Sequence, residues 1–140
     1  MNTELVATLR AEYAAIFAYG VIGVRLPEAL ARAARNAEAA HRARRDELLV
    51  QLSAAGVGIP GEQPAYELPF KVTDEASALR LAIEVEERTG AYWRAVLPVT
   101  AGDGRAPALD ALTGCARRAT YWRRQAGVSP IVVDFPGRTA

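Results

Sequence analysis

The chain has 140 residues, the usual size of one domain and enough to bury a core without disulfide or metal staples. Its 51% apolar and 24% charged content fits a globular chain and excludes a disordered one. A formal net charge of +1 gives no steering toward nucleic acid or a membrane surface, and the lone cysteine, Cys115, excludes an intramolecular disulfide and the usual cysteine-ligated zinc.

Alanine and arginine dominate, with Lys71 the sole lysine; both are strong helix formers. The arginines gather in Arg42-Ala-Arg44-Arg45, Arg117-Arg118 and Arg123-Arg124. Asp46 and Glu47 interrupt any phosphate-binding stripe, so no nucleic-acid partner is expected. No basic-led apolar leader opens the chain, and no apolar run approaches the roughly 20 residues of a membrane helix. The expectation is a cytoplasmic protein with no membrane partner.

Four segments carry a helical period. The first is expected from about Thr3 to Val24, capped by Asn2 or Thr3, with Leu5, Leu9, Ile16, Tyr19 and Gly20 on one stripe. Pro27 suits the first turn of a second helix, running to about Ala55 and stopped by Gly56, with Leu30, Ala34, Ala37, Leu48 and Leu52 inward. Glycines and prolines between residues 57 and 72 forbid a long helix. Asp74, preceded by Thr73, caps a third helix to about Leu97, with Leu79, Ala82, Ile83, Trp93 and Leu97 inward, and Pro98 closes it. Pro107 opens a fourth that reaches Ala126, where Gly127 ends it. The tail, with Ile131-Val-Val133 and Phe135-Pro-Gly137, is too short for a domain and should pack along the bundle.

The connections after the first and third helices are short, which makes two antiparallel hairpins. The middle connection, of about 16 residues, can span roughly 50 Å. That exceeds the roughly 35 Å of a 24-residue helix. Two hairpins joined by one long crossover is the ferritin-like arrangement of an all-α four-helix bundle, in one domain covering residues 1–140.

The informative residues are the polar ones on apolar stripes. Glu12 falls between Leu5/Leu9 and Ile16/Tyr19. Glu38 and His41, three apart, share the second stripe with Ala34, Leu48 and Leu52. Glu86 falls between Ala82/Ile83 and Gly90/Trp93. A carboxylate in a helix core needs a partner or a cation. One Glu on the first helix with Glu-x-x-His on the second is half of the di-iron carboxylate pattern, and the three-residue spacing lets both side chains reach one ion.

The segments Glu12-Tyr-Ala-Ala-Ile-Phe-Ala-Tyr-Gly20, Glu38-Ala-Ala-His-Arg-Ala-Arg-Arg-Asp46, Tyr66-Glu-Leu-Pro-Phe70 and Phe135-Pro-Gly137 resemble an actinobacterial ferritin-like domain family of unassigned function. The resemblance spans nearly the whole chain and implies a ferritin-like bundle; it implies no activity.

Against the wider di-iron pattern the fourth helix departs. Where a second Glu-x-x-His is required, its inward positions read Ala116-Arg-Arg-Ala119, and His41 is the only histidine. Ferroxidase chemistry with two metals is therefore not expected. Three readings of the cluster remain: an arginine-paired network, one bound metal ion, and a shared-proton or water-filled cluster. In the favoured one, an arginine compensates the buried carboxylates without metal. Arg45, four residues after His41, is the expected partner and Arg123 the second choice. The protein is then a non-enzymatic bundle acting through its surface, with homodimerisation through helix faces. In the alternative, Glu12, Glu38, His41 and Glu86 hold one Fe, Mn or Zn ion, with oxidase or peroxide chemistry by analogy alone. Tyr13, Phe17, Tyr19, Trp93 and Trp122 read as core or interface aromatics, and Cys115 as a small buried hydrophobe. The Gly56 and Gly102 segments are turns that lack the lysine and strand of a phosphate loop.

Overall fold

The computed structural model describes residues 1–138 and shows, among them, helices and no strand. Four helices form the bundle: α1 (Asn2–Gly23), α2 (Glu28–Ala54), α3 (Glu75–Val96) and α4 (Arg105–Ala126). The α1 N-cap is Met1, one residue ahead of the expected Asn2 or Thr3, with no side-chain cap. Helix α4 starts two residues before Pro107. The proline falls within its first turn, where a missing N–H breaks no intrahelical bond.

Helix α3 is capped as its sequence requires. The Ser77 N–H donates to Asp74 Oδ1 at 2.8 Å, and the Asp74 N–H returns a bond to Ser77 Oγ at 3.1 Å. Helices α2 and α4 both end on a left-handed glycine, Gly56 and Gly127, each at φ +68°. There the chain folds back: the Val57 N–H reaches Leu52 O at 3.1 Å and the Val128 N–H reaches Arg123 O at 3.0 Å, the bonding of a Schellman stop. Gly127→Ala should destabilise the protein by about 1 kcal/mol, because an L side chain is strained at that φ. Urea unfolding measures it, and an unchanged midpoint would show that this turn accepts an L side chain without strain.

Helix α1 packs on α2 and α3, and α3 packs on α4. Leu5 and Leu9 share an apolar cluster with Leu48 and Leu52, while Ile22 lies with Ala34 and Ala37. Helices α1 and α2 are therefore antiparallel. Thr8 bonds the Tyr92 carbonyl at 3.4 Å and Tyr19 bonds Glu86, so α1 and α3 are antiparallel too. It follows that α2 and α3 point the same way, and the connection between them has to travel the length of the bundle. It does: Val57 and Tyr66 pack on the cluster around Leu5 and Leu52, whereas Leu68, Phe70 and Val72 pack on the cluster around Ile22 and Leu79.

The tail lies against α3 and α4. Arg94 donates to Pro136 O at 2.9 Å and Arg123 to Pro130 O at 3.1 Å. Gly137 sits so close to α3 that a Cβ there would come within 2.8 Å of Gly90 O. By length and composition α1 is apolar enough to cross a bilayer, contrary to the sequence expectation. Most of that apolar stretch is buried in the bundle, and the helix carries the fully buried Glu12.

Candidate functional site

The two apolar clusters are separated by a layer of charged and aromatic side chains to which every helix contributes. Glu12, His41 and Glu86 are each 0% exposed. His41 of α2 lies between the two carboxylates: Nδ1 is 2.6 Å from Glu12 Oε2 and Nε2 is 2.9 Å from Glu86 Oε2. Each gap has to hold a proton, since two facing lone pairs at that distance would repel. With both carboxylates ionised, His41 is an imidazolium donating from both nitrogens.

The remaining positions of the layer are also filled. Trp93 Nε1–H donates to Glu12 Oε1 at 2.7 Å. Tyr19 donates its hydroxyl proton to Glu86 Oε2 and accepts from Trp122 Nε1–H at 2.9 Å. Arg118 of α4 donates from Nε to Glu86 Oε1 at 3.0 Å and from Nη2 to Cys115 Sγ at 3.7 Å. Glu12, Glu86, His41 and Arg118 together sum to zero charge, and all four carboxylate oxygens have a donor. That is the condition under which buried ions are tolerated.

Burial would pull the His41 pKa down, but the charge of Glu86 and hydrogen bonds to both carboxylates outweigh it and hold the pKa at about 9. Glu86 shows the reverse balance: burial pushes it up, while His41 and then Arg118 hold it below its ordinary value. The Tyr19 phenol is raised well above its usual range by burial and then by Glu86, and the Cys115 thiol is raised by the same two causes. Tyr19 and Cys115 therefore stay protonated at neutral pH, and Cys115 has no thiolate with which to act as a nucleophile.

Three of the four residues expected to converge do so: Glu12, His41 and Glu86. Glu38 does not. At 100° per residue it lies roughly 60° round α2 from His41, and its carboxylate faces outward toward Arg42 at 3.5 Å. Arg45 is not the compensating cation. It sits roughly 40° round the helix from His41 on the same count, half-buried beside Tyr13, and donates to its own neighbour Asp46 at 3.0 Å. Arg123 pairs with Glu87, not with the core acids. The guanidinium that reaches the layer is Arg118, from the Ala116-Arg-Arg-Ala119 segment. It folds back over Gly114, where a Cβ would come within 3.2 Å of Arg118 Nη1. Among the described residues no group of three or more His, Cys, Asp or Glu side chains has metal-holding geometry.

Beside this layer, a cleft of about 740 Å³ runs between α3, α4 and the tail. Glu86 and Cys115 are among its lining residues, with Gly90, Ala116, Ile131 and Val133 also contributing.

Residues 4–140 match the model of a family described as Domain of unknown function (DUF4439). The fold is similar to the crystal structure of a conserved hypothetical protein, rv2844, from Mycobacterium tuberculosis. The TM-score is 0.87, with 38% sequence identity over 96% of each chain. No curated protein matches the sequence. The match over nearly its whole length places this chain in the DUF4439 family.

Proposed function

We propose that the protein is a ferritin-like bundle that works without metal, its interior locked by an ion network and its function exerted through the surface. The observation that carries this reading is the state of His41, with both ring nitrogens committed to carboxylates. A metal ligand needs a free ring lone pair, and here both nitrogens lie within hydrogen-bond distance of a buried acid, Nδ1 at 2.6 Å from Glu12 and Nε2 at 2.9 Å from Glu86. Arg118 supports the same reading, since it supplies a positive charge at Glu86 from the helix where a second Glu-x-x-His would be required.

A single Fe, Mn or Zn ion on Glu12, His41 and Glu86 would have to displace a proton from His41 and move Arg118 away from Glu86. Glu38, on the outer flank of α2, adds nothing to such a site. The test is elemental analysis of protein purified without chelator, joined to thermal unfolding with and without added Fe(II), Mn(II) and Zn(II). We expect well under one ion per chain and no shift of the midpoint. A stoichiometric ion that survives gel filtration and raises the midpoint would overturn the reading, because a ligand bound only to the folded state has to stabilise it.

A further inference from the structure

A second concavity, of about 560 Å³, lies on the outer side of the α1–α3 groove where the crossover passes over it. Its floor is Ala7, Ala11 and Ala14 of α1, small enough to leave the groove open. Tyr92 and the crossover residue Tyr66 are among its walls, and Arg10 and Arg88 line it from α1 and α3. No aspartate or glutamate lines it. Among the described residues neither arginine has an ion-pair partner. Arg88 and Tyr92 stand on the ridge between this concavity and the larger cleft and line both. Of the two, only the larger cleft is lined by the three glutamates, Glu84, Glu86 and Glu87, and there Arg123 pairs with Glu87.

We infer that this concavity is a binding site for a small oxyanion-bearing molecule with an apolar body. Two guanidiniums from different helices offer forked donors suited to a phosphate or carboxylate group. The Tyr66 hydroxyl accepts the Gln63 N–H at 2.9 Å, which leaves its own proton to donate. The alanine floor and the tyrosine rings take the apolar part. The volume falls within the roughly 300–1,000 Å³ of small-molecule sites. The site shares no residue with the buried ion layer, so it stands or falls separately from the absence of metal there.

The experiment is a titration of the intact protein, followed by backbone amide NMR, with three probes: phenyl phosphate, benzoate and phenol. Phenyl phosphate and benzoate are expected to give saturable shifts at residues 7–14, 60–66 and 88–92, and phenol none. Arg10→Ala and Arg88→Ala should each weaken binding about tenfold, the loss of one charge-assisted pair, and the double variant should abolish it. Both side chains are exposed, so the thermal midpoint should not move and a loss of binding cannot be blamed on unfolding. Absence of saturable shifts overturns the inference. So does binding that persists in the double variant, or phenol binding as tightly as the two anions.

Discussion

Replacing His41 with alanine is expected to lower stability by about 5 kcal/mol or more, the upper part of the range for breaking a buried ion pair. For a chain of this length that corresponds to a fall of roughly 15–20 °C in the thermal midpoint. The loss is large because Glu12 and Glu86 are both fully buried and both rely on the one imidazolium. Removing it leaves two carboxylates without their shared counter-charge, beside an empty space the size of the ring.

The unmodified protein should report the same proton through pH. The His41 pKa rises from 6.5 to about 9 on folding. Its contribution is then complete below pH 6.5 and is lost as pH climbs through 9. The shift is worth about 3 kcal/mol. Glu86 acts in the opposite direction. Its pKa is depressed below 4.5, so its contribution is present above that pH and fades as pH falls through the depressed value. Stability should peak between about pH 4.5 and 6.5 and decline toward alkaline pH. Urea midpoints measured across this range test it. A flat profile from about pH 6 to 9.5 would mean that the proton between the rings and acids is placed otherwise.

Arg118→Met carries the second large effect. It removes one of two cations from a layer whose charges cancel, leaving a net negative charge in the core. The expected loss is about 3–5 kcal/mol. The double variant Glu86→Gln, Arg118→Met should recover part of it, since the remaining charges are again balanced; the cycle measures the coupling directly. Arg45→Met is the control. Its guanidinium bonds an exposed neighbour, Asp46, and its removal should cost no more than about 1 kcal/mol. Equal losses for Arg45→Met and Arg118→Met would show that the network does not draw its charge balance from α4.

The helices were legible because their punctuation is strong: Asp74, Gly56 and Gly127 sit where caps require them, and Pro27 and Pro107 fall at helix starts. The presence of a buried acid on α1, a histidine on α2 and a second acid on α3 was legible too, since an isolated Glu inside an alanine–leucine stripe has few alternatives. Choosing the arginine was harder. Arg45 has the right spacing to His41 along one helix, but a stripe is wide, and a flank position four residues away can bond its exposed neighbour Asp46 instead. Arg118 reaches inward from its own stripe, three residues after Cys115 and four before Trp122, and Gly114 leaves it room. The roles of Trp93, Tyr19 and Trp122 as hydrogen-bond partners were missed, although a buried indole N–H usually finds an acceptor.

Alanine faces the interior on all four helices, at Ala15 and Ala18, Ala34 and Ala37, Ala78 and Ala82, and Ala108 and Ala111. Such surfaces look much the same from one turn to the next, so shape alone would let neighbouring helices settle at several offsets. A slip of one turn, about 5.4 Å, would bring Glu12 opposite leucines and strand His41 among methyl groups. The ionic layer thus acts as a notch that permits a single alignment. A chain stripped of all four of its charges should remain helical yet lose the sharp, singular packing that gives well-dispersed side-chain NMR signals.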